Sequence, residues 1–153
     1  MVFITLGSQK FQFNRLLKVV DNLKIDEEIF AQIGYSDYEP IHYKYTKFLD
    51  RNKFSFFMDE ADIVITHGGT GAIISALKKG KKVIAVPRLK KFGEHVDDHQ
   101  IQLVEEFSKM NLICACLDMD LEKSLELVKS TTYREYKSNT HTIIKSLEEF
   151  IEE

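Results

Sequence analysis

Apolar positions along this chain follow two alternating rhythms, and their order predicts an architecture. Val2 to Leu6, Ile63 to Thr66 and Val83 to Val86 are short runs rich in β-branched and apolar residues, the length of buried strands. Between them Phe13, Leu16, Leu17, Val20 and Leu23 recur at helical spacing, as do Ile73, Ala76 and Leu77, and later Leu103, Val104, Phe107 and Met110. Glu28 to Ile33, ended by Gly34, and Ile41 to Thr46 predict two further strands, and Leu112 to Leu117 the last. A short aromatic helix is expected around Phe54 to Met58. The pair Lys78-Lys79 followed by Gly80 closes the helix before it, and Ile143, Ile144, Leu147, Phe150 and Ile151 predict an amphipathic C-terminal helix. Strands that are apolar throughout need cover on both faces. The expected fold is therefore α/β and Rossmann-like, a mostly parallel sheet with helices on both faces. Ligands of such sheets bind beyond the carboxyl ends of the strands, where the loops at Gly7, Gly68 and Pro87 emerge.

Composition narrows this only a little. A length of 153 residues with 44% hydrophobic content and two prolines suits one domain, residues 1–153, and no repeat or interdomain linker interrupts it. A net charge of −3 gives no basic field for nucleic acid. Charge is uneven, however: Lys78, Lys79, Lys81, Lys82, Arg88, Lys90 and Lys91 crowd one region, while Glu148, Glu149, Glu152 and Glu153 close the chain. Such a lysine patch is ordinarily a solvated face; beside a phosphate site it would steer anions or meet an acidic membrane surface. Met1 to Leu6 is too short for a signal-peptide core, and no apolar run approaches the roughly 18 residues of a membrane span, so a cytoplasmic location is expected. Cys114 and Cys116 point to one face of a strand about 6.6 Å apart, near the outer limit for a disulfide, and read as reduced core thiols.

The chemistry concentrates in Asp62 to Gly71, an apolar run ending in His67-Gly68-Gly69-Thr70-Gly71 ahead of a helix. Glycines admit a close backbone approach, and the helix N-terminus favours an anion. A dinucleotide fingerprint fails here at its third glycine, and no Gly-Lys-Ser/Thr ending makes this a P-loop. An oxidoreductase taking a 2′-phosphate on Arg88 and Lys90 loses ground for the same reason. Glu94-His95-Val96-Asp97-Asp98-His99-Gln100 opens a helix with groups dense enough to bind a polyhydroxylated ligand, although Asp97 or Asp98 also suits a helix cap. Zinc at His95 and His99 lacks a third ligand. Asp118-Met119-Asp120 has the Asp-x-Asp spelling of a metal and nucleotide-sugar site, but its place ahead of Leu121 to Val128 is better explained as loop and helix N-cap. Tyr35, Tyr38, Tyr43 and Tyr45 stay open between a binding surface and ordinary packing.

In order along the chain, Phe3 to Ser8, Phe13 to Leu16, Gly34 to Asp37, Thr66 to Gly69 and Glu94 to Gln100 resemble the glycosyltransferase family 28 C-terminal domain, with the nearest likeness to split bacterial capsule and exopolysaccharide transferase subunits. The resemblance spans roughly Val2 to Leu117. It implies the donor-binding half of a GT-B transferase, with the acceptor half supplied by a separate membrane-associated protein, since 153 residues leave no room for both. That partner would recruit the chain to the inner face of the membrane. Isolated chains would have the option of forming a homodimer through the surface meant for it.

By the same resemblance, Gly7 and Ser8 face the phosphates of a UDP-sugar, and His67, Gly68, Gly69, Thr70 and Gly71 hold the diphosphate. His99 and Gln100 meet sugar or ribose hydroxyls, with Asp97 and Asp98 nearby. Fixed N–H donors would stabilise the leaving group, so no cofactor and no metal is strictly required. The partner is expected to bring the general base; His67 and His95 are the candidates within this chain. Two departures stand out. Ser75 replaces an acidic residue that binds ribose in many relatives, and Gln9 stands where close relatives carry histidine. Ser75 leaves room for a non-catalytic activator of a partner transferase.

Overall fold

The computed structural model describes residues 1–137. Its six strands are β1 (Val2–Thr5), β2 (Ile29–Gln32), β3 (Lys44–Thr46), β4 (Ile63–His67), β5 (Lys82–Val86) and β6 (Cys114–Ala115). They form one sheet in the order β3-β2-β1-β4-β5-β6, every neighbouring pair parallel. The α-helices among the described residues are α1 (Asn14–Asp21), α2 (Arg51–Glu60), α3 (Thr70–Lys78), α4 (His99–Lys109) and α5 (Leu121–Ser130).

Strand side chains alternate between two apolar cores. Ile4, Ile65 and Ile84 pack with Leu16, Leu17 and Val20 of α1 and with Leu125 and Val128 of α5. Phe3, Val64 and Val83 pack instead with Met58 of α2, Ile73 and Ala76 of α3, and Val104 and Phe107 of α4. Period-two alternation with both faces apolar produces the unbroken hydrophobic runs, and it makes this the expected doubly covered parallel sheet.

Three boundaries differ from expectation. Only Lys44–Thr46 of the run from Ile41 joins the ladder. The buried carboxylate of Asp21 accepts the backbone N–H groups of Ile41 and His42 at 3.0 and 2.9 Å, which ties the start of that run to the end of α1 instead. β6 is an edge strand of two residues, although the Cys116 N–H still reaches the Ala85 carbonyl at 2.9 Å. The aromatic helix is longer than expected because Asp50 caps it, accepting from the Lys53 N–H at 2.8 Å. Asp120 caps α5 in the same way through the Lys123 N–H, and Asp118 accepts from the Asp120 N–H, so the Asp-x-Asp spelling serves a cap. Cys114 and Cys116 are free, buried thiols, and burial pushes both pKa values up. The expected helix with Ile143 and Phe150 lies outside the described residues.

The lysine-rich region is not one patch. Lys79 pairs with Asp59 at 2.6 Å and Lys82 donates to the Val128 carbonyl at 2.8 Å, both at the end of the sheet away from Gly68. Arg88 is 1% exposed and belongs to the interior. Among the described residues no helix is long and apolar enough to cross a membrane.

Candidate functional site

β1 and β4 lie side by side, yet the chain leaves β1 toward one edge of the sheet and reaches β5 from β4 toward the other. Crossovers that diverge from two neighbouring strands leave a crevice beyond their carboxyl ends. Here it is a cleft of about 370 Å³ lined by Gly7, Ser8 and residues 67–71 on one side and by His95, Asp97, His99 and Gln100 on the other. Gln9, Ala72 and Leu103 complete the lining.

The floor is the start of α3. Gly69 precedes it in extended conformation, and no side chain caps its first N–H groups. Thr70, 8% exposed, has a buried Oγ1 without a hydrogen-bond partner among the described residues. Uncapped N–H groups and an unpaired hydroxyl at a helix N-terminus favour an anion with several acceptor oxygens.

The glycines around this floor serve different ends. A Cβ on Gly69 would stand 2.3 Å from Cε1 of the His67 ring, and one on Gly7, at φ +73°, would stand 2.6 Å from its Nε2. A Cβ on Gly68 would meet Gln100 Cβ and Val104 Cγ2 at 2.9 Å, whereas one on Gly71 meets nothing within 4 Å. Glycines 7, 68 and 69 thus make room for the protein's own side chains. Gly71 leaves the first turn of α3 open to the cleft.

A buried polar network lies beneath. His67 closes β4 at 5% exposure; burial, then the adjacent charge of Arg88, pushes its pKa down to about 3, so the ring is neutral. Gln100 Oε1 accepts both the Gly68 N–H at 3.0 Å and the Arg88 N–H at 2.9 Å, joining the glycine turn to the end of β5. The Arg88 guanidinium donates to the Leu6 carbonyl at 2.6 Å, the Phe11 carbonyl at 3.1 Å and the Glu94 carbonyl at 3.2 Å, and to His67 Nδ1 at 3.2 Å. Burial pushes the Arg88 pKa down to about 10 against the opposing charge of Glu94, so it stays a cation. The Glu94 carboxylate itself grips Arg15 at 2.9 and 3.0 Å. Enclosed in this way, Arg88 cannot serve a 2′-phosphate. Its signal in the sequence was a lone cation directly after an apolar strand and a proline, and the count of neighbouring lysines hid it.

The facing wall is wetter. Asp97 Oδ1 accepts from the His99 N–H at 3.0 Å and lies 3.2 Å from His95 Nδ1, while Oδ2 lies 3.4 Å from His99 Nδ1. Desolvation works to raise the Asp97 pKa, but that N–H and the two imidazoles hold it below the usual carboxylate range. His95 Nε2 is 3.4 Å from the Gln9 amide, which brings the first loop across the cleft. Asp98 turns away, accepting the Lys90 N–H at 2.9 Å, so of the two aspartates it is Asp97 that lines the cleft and caps the first turn of α4. Ser75 lies in a neighbouring depression with Thr5, Gln32 and Phe54, and its hydroxyl donates to the Gly71 carbonyl at 2.8 Å. Among the described residues no group of three or more His, Cys, Asp and Glu stands close enough to hold a metal ion.

Known proteins share part of this sequence or its fold. UDP-N-acetylglucosamine transferase subunit ALG13 of Candida albicans is 28% identical over 86 residues, 56% of this chain and 26% of that protein. The protein of the same name from Mus musculus is 26% identical over 138 residues, 82% of this chain and 12% of that one. This chain spans less than half the length of the curated relatives it matches. Among solved structures, the glycosyltransferase SnogD from Streptomyces nogalater superposes with a TM-score of 0.60 at 16% identity, over 84% of this chain and 34% of that one. Acinetobacter baumannii MurG gives 0.54 at 19%, over 84% and 41%. Those likenesses are of fold, the C-terminal half of a GT-B glycosyltransferase. The glycosyltransferase family 28 C-terminal domain matches residues 1–153, and this chain belongs to that family.

Proposed function

We propose that this chain is the donor-binding subunit of a two-component inverting glycosyltransferase, which moves a sugar from a UDP-sugar to a lipid-linked acceptor together with a membrane-associated partner. The observation that carries the reading is the uncapped start of α3 with the unpaired Thr70 hydroxyl on the cleft floor. A diphosphate seated there meets fixed N–H donors, which cost no reorganisation as charge builds on the departing nucleoside diphosphate. Asp97 and His99 on the facing wall offer hydrogen-bonding groups to sugar or ribose hydroxyls. Relatives named as UDP-N-acetylglucosamine transferase subunits support both the donor class and the need for a second subunit. Capsule or exopolysaccharide synthesis is the setting that the resemblance of the motifs implies. On this reading the acceptor hydroxyl loses its proton to a base on the partner; within this chain His95, backed by Asp97, is the candidate.

Calorimetric titration with UDP and with UDP-N-acetylglucosamine, on the chain alone and with its partner, tests the reading. Saturable binding is expected in the complex; no binding in either state overturns it. A second reading, a non-catalytic activator of the partner, draws on Ser75, whose hydroxyl proton is engaged by the Gly71 carbonyl and which brings no charge to a ribose. His99→Ala separates the two. A complex that keeps full activity favours the activator, and a large loss favours the donor site.

A further inference from the structure

The contact between Arg88 and His67 has only one consistent proton arrangement. A guanidinium has donors and no acceptor, so Arg88 Nε at 3.2 Å requires a bare lone pair on His67 Nδ1. Gln100 Nε2 stands 3.3 Å from the same nitrogen. Because Gln100 Oε1 already accepts two backbone N–H groups, this second neighbour is the amide NH₂, also a donor. Two donors converge on Nδ1. The single proton of a neutral ring is then left on Nε2, the atom that lies against Gly7 and Gly69.

We propose that Arg88 is a positioning residue that fixes His67 as the Nε2–H tautomer, so that a neutral, permanent N–H donor stands in the glycine turn beside the anion floor at the start of α3. What that donor meets rests on the diphosphate reading; the tautomer does not. Arg88 is suited to the task because it cannot swing: three backbone carbonyls hold its terminal nitrogens, and its guanidinium lies 5.1 Å from the centre of the Phe13 ring. The other charged or titratable groups around the ring are Glu94 behind Arg88 and His95, Asp97 and His99 across the cleft. Among the described residues none of these four hydrogen-bonds to His67. A second proton would put an imidazolium against the guanidinium in a buried space, so the ring stays a donor and does not become a cation. His67 is thereby removed from the base candidates, since its one basic lone pair is spent on Arg88.

Long-range ¹H–¹⁵N spectra of the labelled full chain test this directly. The expected result is a protonated Nε2 and an unprotonated Nδ1 for His67, unchanged from about pH 5 to about pH 8. A proton on Nδ1, or a ring that titrates in that range, overturns the proposal whatever any variant does. Arg88→Lys, which keeps the charge but lacks the planar Nε–H, is expected to mix the tautomers and to weaken UDP-N-acetylglucosamine binding about fivefold. That ligand is chosen because both diphosphate charges persist across the range. A folded Arg88→Lys protein that retains the single tautomer also overturns the proposal. A wild-type spectrum with the expected tautomer but no response to the nucleotide sugar sinks the diphosphate reading and leaves the role of Arg88 standing.

Discussion

Two sets of histidines face one cleft and meet opposite neighbours. His67 ends a central strand, buried but for 5% of its surface, with a guanidinium at its Nδ1. His95 and His99 sit around the start of α4 and share the Asp97 carboxylate, with His99 side chain 41% exposed. Burial, and then the neighbouring guanidinium, keep the His67 ring neutral, whereas His95 and His99 meet a carboxylate at the rim of the cleft. On the proposed donor reading, the same residue type supplies a fixed donor on the phosphate side and adaptable polar contacts on the sugar side. Residue identity alone does not assign a role; the neighbour at the other ring nitrogen does.

The comparison breaks most forcefully at Arg88. Arg88→Met leaves the buried Leu6 and Glu94 carbonyls and the half-buried Phe11 carbonyl without their donor, and a loss of about 3–5 kcal/mol in urea unfolding is expected. A loss below about 1 kcal/mol would mean that the network does not hold the cleft. Acidification gives the next largest effect. The folded His67 pKa of about 3 lies below the ordinary 6.5, so between those values the unfolded chain binds more protons, and stability falls as pH falls. By pH about 5 the expected deficit from this one group is about 2 kcal/mol relative to pH about 7. The carboxylates held low, such as Asp97, act only near and below the ordinary carboxylate value of 3.8, and His67→Gln should remove the slope above that. Denaturation midpoints across the range measure both. The smallest effect on stability is expected on the exposed side. Asp97→Asn should cost about 1 kcal/mol or less, yet still weaken UDP-sugar binding several-fold by releasing His95 and His99. If the calorimetric affinity does not change, the facing wall does not touch the donor.

Much of the fold was legible because burial on both faces leaves a trace along the chain. Val64 between Ile63 and Ile65 needs two apolar environments, and a doubly covered sheet supplies them. The crevice was legible too, since strand-loop-helix order locates the carboxyl ends. Ile41 to Thr46 misled because its alternation reports residue types and not the Asp21 carboxylate, 20 residues away, that captures its first N–H groups. The orientations of Asp98 and Ser75 were hidden more subtly. Each lies at the right position in the chain, but Asp98 is turned onto the Lys90 N–H and Ser75 onto the Gly71 carbonyl. Asp97 and Asp98 are equivalent as spelling, and only backbone geometry at the start of α4 separates them.

The sequence by itself determined the layered parallel sheet and the glycine-rich start of α3, because hydrophobic periodicity and glycine placement act through nearest neighbours on one strand or one turn. Only the tertiary structure decided what the polar groups are. Arg88 became an internal clamp rather than a surface cation because Leu6, 82 positions earlier, and His67, 21 positions earlier, converge on it at the carboxyl ends of the strands. Protonation and hydrogen bonding depend on such convergences, and no local pattern along the chain encodes them.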